Sequence, residues 1–302
     1  MSKSARLEHR RAAAAAAEAR RRAMERRRRF LWAGGAVGAV VLVLIGLVVV
    51  RLVGGPATPA AQASADPAQA QILAAVTTVP EATLDKVGLG KVDTLPKRLS
   101  GQPALTADGK PLVVYVGAEY CPFCAAQRWG MVIALSRFGS FTNLSTTHSS
   151  SSDVYPNTAT LSFHGATYTS DYVAFQGVET QSNVRQGDTY ATLDSLTAQQ
   201  AQLLQTYNAP PYVPSSSAGA IPFIDFGNQF IIAGAAISPQ LLAGKSGSDI
   251  TTALTDPTSP IGQAINGSAN AFTAAICAIT GNQPAQVCTS TAVTAYAGKL
   301  NG

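Results

Sequence analysis

The 302-residue chain is 46% apolar, enough for a sizeable buried core, and its formal net charge of +5 is unevenly spread. Eleven of the 22 Lys/Arg lie in residues 1–29 beside three Glu, a net of +8, whereas residues 54–302 carry ten basic and fourteen acidic side chains, a net of −4. The basic character belongs to the N-terminal tail, which excludes charge-driven nucleic-acid binding by the main part of the chain.

Residues 1–29 are rich in Ala and Arg, with an unbroken alanine run over 12–17. They read as a basic tail that acts as a topology signal; the alternative is a helix lying on anionic lipid headgroups. Residues 30–50 are uninterrupted apolar side chains and Gly, long enough at 1.5 Å per residue to cross a hydrocarbon core of roughly 30 Å. Arg26, Arg27, Arg28 and Arg29 precede this run and only Arg51 follows it. The positive-inside rule then predicts a single transmembrane helix over 30–53, with a cytoplasmic tail at 1–29 and everything after Arg51 outside the cell membrane. A cleaved signal peptide is the alternative, with small-residue sites at 61–63 and 63–65. The apolar run exceeds the roughly 7–15 residues of a signal core, which favours a retained anchor.

Residues 54–66 are a Gly/Pro/Ala/Ser linker. The extracytoplasmic domain is expected over 67–302. Asp66-Pro67 marks a helix start, Ile72, Leu73 and Val76 share one helical face, and Pro80 ends that helix. Asp108-Gly109 is a turn signal, so 103–106 and 112–117 form a short hairpin. Leu112-Val113-Val114-Tyr115-Val116 suits a central strand covered on both faces. Trp129, Val132 and Ile133 recur at helical spacing, with Leu135 and Phe138 as further candidates, which places a helix over 125–138.

Residues 141–147 read as one strand, and 149–152 as a polar loop. Residues 158–178 alternate apolar and polar about His164-Gly165, the pattern of a hairpin. A helix is expected over 196–207, capped by Ser195 or Thr197. Residues 221–226 and 229–234 flank Gly227-Asn228 as strand, turn and strand. A further helix opens at Ser238, and a small-residue helical part occupies about 260–302, interrupted near 281–284.

Four cysteines form two close pairs, Cys121/Cys124 and Cys277/Cys288. An even count in an oxidising compartment implies two disulfides. Three pairings are formally possible, and spacing favours the local one. The first pair opens a helix directly after an apolar strand. A helix N-terminus offers unpaired N–H groups and a positive dipole, which stabilise a thiolate on Cys121. Cys124, one turn in, is placed to resolve a mixed disulfide, and Pro122 suits the first helical position because it has no N–H to lose. Other readings of the pair are half of a zinc site, completed by Cys277/Cys288 or His148/His164, and an inert structural disulfide. The spacing of Cys277 and Cys288 is far too wide for a zinc knuckle, so no metal ligand is assigned, and no cofactor is expected. Cys277/Cys288 reads as a structural crosslink worth about 3 kcal/mol by loop entropy. Glu119 either raises the Cys121 thiol pKa or is a solvated loop acid. Arg128 reads as a helix-surface charge, and His148 and His164 as surface or core residues.

Strand, Cys-x-x-Cys, helix, then an apolar residue, Pro, strand, Gly-Asn turn and strand together resemble the thioredoxin fold. Residues 118–121 resemble the approach to the thioredoxin active site, with aromatic Tyr120 just before the first Cys. Ile221-Pro222 occupies the place of that family's cis-proline, and residues 234–241 resemble its closing Gly and last helix. The resemblance implies an α/β fold with a thioredoxin-like mixed sheet, flanking helices and a long insertion at about 148–214. It implies catalytic Cys121 and Cys124, and substrate contacts from Tyr120, Ile221 and Pro222, with Ile221 pairing an extended client chain by strand addition. The partners it implies are exported client proteins and a membrane or extracytoplasmic redox partner. Tyr115 stands where thioredoxins usually carry a buried acid. The extracytoplasmic part is also similar to an uncharacterised domain-of-unknown-function family of membrane-anchored bacterial and archaeal proteins. The function expected is thiol–disulfide exchange on exported proteins; the alternative is a non-catalytic binding or envelope-scaffold module with a structural disulfide.

Overall fold

The computed structural model describes residues 66–301. The expected tail, the transmembrane segment over 30–53 and all but the last residue of the linker lie outside the described residues. Among the described residues no helix is long and apolar enough to cross a membrane.

The described chain is a mixed α/β domain whose main sheet has six strands. It opens with α1 (Pro67–Thr77), α2 (Glu81–Val87), β1 (Lys97–Arg98) and β2 (Thr106–Ala107). Asp66 caps α1 by accepting the Ala68 N–H at 3.0 Å. That helix already ends at Thr77; Pro80 caps the start of α2, since its fixed φ suits an N-terminus. β3 (Lys110–Gly117) is the centre of the sheet. Asp108 and Gly109, both at positive φ, make the tight turn between β2 and β3.

Residues 139–148 do not form one strand. Asn143 sits at φ +58° and splits them into β4 (Gly139–Thr142) and β5 (Ser145–His148). Each half takes its own antiparallel partner: β5 pairs β6 (Ala159–Ser162) and β4 pairs β7 (Thr167–Ser170). The expected hairpin about His164-Gly165 is therefore absent, because its two arms bond to different strands. β8 (Ala174–Glu179) runs parallel to β3, and β9 (Gln181–Gln186) and β10 (Thr189–Thr192) form a separate hairpin. The stretch between residues 148 and 214 thus supplies a strand of the main sheet as well as excursions from it.

α3 (Pro122–Ser136) connects β3 to the strands that follow, and α4 (Ala198–Tyr207) carries a reciprocal capping box between Thr197 and Gln200. β11 (Phe223–Phe226) and β12 (Phe230–Ala233) are joined by Gly227-Asn228, both at positive φ. The sheet order is β1-β12-β11-β3, with β8 and the short β2 on the far side of β3. The chain closes with α5 (Gly247–Leu254), α6 (Pro260–Ile279), α7 (Ala285–Cys288) and α8 (Thr291–Asn301).

Alternation along β3 divides the core. Val113 and Tyr115 face α3 and α6; Leu112, Val114 and Val116 face α4 with Leu203 and Tyr207. Leu112 to Val116 are all buried, so β3 is covered on both faces as its near-continuous apolar run predicts. α6 is almost wholly buried. Gly130 lets α3 approach it, since a Cβ there would lie 2.3 Å from Ser268 Oγ. Asn270 of α6 satisfies carbonyls at the end of α2: its Nδ2 donates to Leu84 O and Gly88 O at 2.9 and 2.8 Å. Cys277 and Cys288 are disulfide-bonded, tying the end of α6 to α7 across a separation of 11 residues.

Candidate functional site

Sheet register brings three strand ends to one place. Val116 of β3 faces Phe223 of antiparallel β11, so residue 222 lies beside the end of β3. Gly117 faces Glu179 of parallel β8, so Glu179 lies at that same end. The chain leaving β3 there turns through residues 118–120 into α3, which places Cys121 just beyond the carboxyl end of the central strand, a usual position for a site in an α/β protein.

Cys121 is the N-cap of α3, at φ −79° and ψ 121°, and Pro122 follows at the first helical position. The Cys124 N–H donates to Cys121 Sγ at 3.4 Å. The sulfur of Cys121 also lies 3.9 Å from the carbonyl oxygen of Ile221, whose bond to Pro222 is cis. The two sequence-predicted halves, Cys-x-x-Cys and Ile-Pro, therefore meet. Both thiols are free, and little of either is exposed: 6% of Cys121 and none of Cys124.

Their environments push the two thiols apart. A hydrogen bond from the Cys124 side chain lowers the Cys121 pKa below the ordinary thiol value against the opposing effect of burial, and the Cys124 and Phe123 amides and the Arg128 charge act in the same lowering sense. Burial pushes the Cys124 thiol well above the ordinary value. The two shifts run in opposite directions, so Cys121 is the sulfur that gives up its proton more readily and Cys124 the one that keeps it.

The loop before Cys121 is clamped from two sides. Glu119 N–H donates to Gln181 O at 2.8 Å, and Ser150 N–H donates to Tyr120 O at 2.8 Å. Tyr120 stacks flat on Tyr190 of β10, with ring centroids 4.3 Å apart. Arg185 caps Tyr190, its Cζ 5.4 Å from the ring. Phe123, exposed between the two sulfurs in sequence, meets Tyr155 edge to face at 6.3 Å. Aromatic side chains from the 148–214 stretch thus stand around Cys121.

Arg128 is not the expected surface charge. It is fully buried beneath the cysteines and paired with Glu179 through two bonds, Nε to Oε1 at 2.8 Å and Nη2 to Oε2 at 2.6 Å. Nη2 also donates to Ala118 O at 2.7 Å, the carbonyl that accepts the Cys121 N–H at 3.3 Å. Burial raises the Glu179 carboxyl against the pull of Arg128. Burial is the largest single influence on Arg128 and opposes its charge, but Glu179, Tyr115 and Cys124 together overcome it and hold the guanidinium well above its ordinary range. Glu179 escapes a sequence reading because its partner lies 51 residues away. The one sequence signal is a charged residue at 128 in a helix otherwise almost free of charge.

Of the other candidates, Glu119 accepts a hydrogen bond from Ser162 Oγ at 2.6 Å. His164 pairs with Asp194 at 2.7 Å on the surface, and His148 Nδ1 lies 2.8 Å from Ser149 O. Cys277 and Cys288 bond to each other and so offer no thiolate to a metal. Ser149 and Ser150, read as part of a polar loop, are buried; Ser149 Oγ bridges Tyr155 O and Thr158 N–H, both at 2.9 Å.

The family described as a domain of unknown function, DUF929, matches residues 98–278, well over half of the chain. The chain belongs to that family. The DUF929 span runs from β1 to the last turn of α6 and contains Cys121, Cys124, Ile221, Pro222, Arg128 and Glu179, as well as Cys277 but not Cys288. No curated protein and no solved structure matches the chain.

Proposed function

We propose that this protein is a membrane-anchored thiol–disulfide oxidoreductase with a thioredoxin-like domain outside the cell membrane, acting on exported proteins through Cys121 and Cys124. The observation that carries the reading is the meeting of a helix-capping Cys121 with the cis Ile221–Pro222 bond, Sγ to carbonyl at 3.9 Å, above a second buried thiol. The unit β3–α3–β8 with the β11–β12 hairpin on the other side of β3 supports the thioredoxin-like fold. The apolar run over 30–50 behind four arginines supports the anchor and its orientation.

In this reading the Cys121 thiolate attacks one sulfur of a client disulfide. That S–S bond breaks, one client sulfur leaves as a thiolate, and Cys121 holds the other in a mixed disulfide. Cys124 then loses its proton and attacks Cys121, releasing the client as a dithiol and leaving Cys121–Cys124 oxidised. The reverse sequence oxidises a client dithiol. A redox partner of opposite poise restores the starting state. Ile221 offers its backbone to the client beside Cys121, and Tyr120, stacked on Tyr190, offers an aromatic contact next to it in the chain. Wild-type protein should reduce insulin or support oxidative refolding, and Cys121→Ser should do neither; equal inertness of the two overturns the enzyme reading.

A second reading, a non-catalytic binding or envelope-scaffold module, draws support from the burial of both sulfurs and from Tyr115 in place of the acid. The reduction potential of the Cys121/Cys124 pair separates the two. A value below about −300 mV marks a structural bond, and a higher one an exchangeable pair.

A further inference from the structure

Resolution of a mixed disulfide on Cys121 requires a thiolate on Cys124, a sulfur with no exposed surface. A buried anion needs a buried positive charge. Cys124 and Arg128 are four residues apart on α3 and share one face of the helix, so their side chains are neighbours. The groups acting on Cys124 from the packed elements are Cys121 and Arg128 of α3 and Glu179 of β8, and Tyr115 of β3 feels the Cys124 charge in turn. Arg128 lies 6.0 Å from the centroid of the Tyr115 ring. Behind Glu179 stand Glu119, which acts on its carboxylate, and Asp194, whose Oδ2 accepts the Glu179 N–H at 3.0 Å and whose Oδ1 meets His164.

Two features of this ion pair bear on its role beside Cys124. Arg128 uses Nε and Nη2 on Glu179 and Ala118, while Nη1 is buried with no partner. The Tyr115 hydroxyl is also buried with no partner, and it lies at the end of β3, where a Cβ on Gly117 would be 2.3 Å from it. Both donors are therefore available to a negative charge that appears next to them. Two unused donors beside a thiol that must become an anion are a prepared receptor for that anion.

We propose that the buried Arg128–Glu179 pair is the internal counter-charge of Cys124: Arg128 holds the positive charge that the resolving thiolate meets, and Glu179 fixes that charge in place and offsets it while Cys124 is a thiol. Both are positioning residues, and neither touches the client. The inference rests on the thiol–disulfide reading above.

The test uses glutathione. The Cys121–glutathione mixed disulfide is formed on the full-length protein, and glutathione release is followed against pH. In this step Cys124 gives its proton to solvent and attacks Cys121. The Cys121–Cys124 bond forms, the bond to glutathione breaks, and glutathione leaves as a thiolate with no net oxidation. Arg128→Met should move the rising limb of the rate profile to higher pH and slow release at neutral pH about tenfold or more. Glu179→Gln should move it to lower pH, and Arg128→Lys should stay close to wild type. A loosened structure would expose Cys124 in both charge-removing variants and shift both limbs the same way. Shifts of the same sign, or no shift, overturn the proposal. Should Glu179→Gln fail to fold, the contrast between Arg128→Lys and Arg128→Met decides alone. No mixed disulfide or no release from wild type would overturn the thiol–disulfide reading itself, a result distinct from release with unmoved limbs.

Discussion

Removing one member of the Arg128–Glu179 pair is the perturbation whose size the structure fixes best. In Arg128→Met the Glu179 carboxylate loses both bonds of 2.8 and 2.6 Å and retains only a Phe163 N–H at 3.4 Å, inside a site with no exposure. Ala118 O loses its 2.7 Å donor as well. Stranding a buried charge in this way costs about 3–5 kcal/mol. Glu179→Gln strands the guanidinium instead, at a similar cost. The double variant Arg128→Met/Glu179→Gln strands neither, so it should be more stable than the sum of the single effects by about 3 kcal/mol. Urea unfolding of the full-length protein, followed by circular dichroism with Cys277–Cys288 intact, measures all four corners of the cycle. Additivity within about 0.5 kcal/mol would refute a direct buried ion pair.

Asp225 predicts a pH dependence. Burial raises its carboxyl from 3.8 to about 7, against the pull of the Asn228 N–H at 2.6 Å. Between those values the folded chain holds a proton that the unfolded chain has released. This contribution is full below about pH 4 and lost as pH rises to about 7, on the order of 4 kcal/mol. Asp225→Asn should flatten that slope in urea midpoints compared at acid and neutral pH, and an unchanged slope contradicts the assignment. Replacing Cys277 and Cys288 by Ser should cost about 3 kcal/mol in the same assay while leaving glutathione exchange at Cys121 intact; loss of exchange would show the crosslink to be part of the site. Gly130→Val should cost about 1–3 kcal/mol by driving α3 away from Ser268 and Phe272, and a neutral result would mean that the two helices do not pack as described.

What the sequence made legible was local. The β3 run, the Cys121 cap with Pro122, the Asp108-Gly109 and Gly227-Asn228 turns and the Thr197 cap each follow from a few adjacent residues whose chemistry admits few conformations. The fate of residues 139–178 was not local. Asn143 can take a positive φ or extend, and its choice is made by two strands more than ten residues away. The alternation over 158–178 shows strands but not their partners, so a hairpin and two separate pairings look alike. The same limit hid Glu179. A buried charge is recognisable in sequence only when its counter-ion is near in the chain, and here parallel pairing of β8 with β3 supplies it from a distance. Cys121 and Ile221 lie 100 residues apart in the chain, and spacing alone gave no reason to place Cys121 Sγ 3.9 Å from the Ile221 carbonyl.

Trapping what Cys121 holds tests the account most directly. In cells carrying the full-length Cys124→Ala protein, the resolving step is blocked, and exported proteins should accumulate as thiol-reducible adducts of Cys121 that vanish when Cys121 is also replaced by Ser. No adduct, or adducts that persist without Cys121, would contradict disulfide exchange at this site.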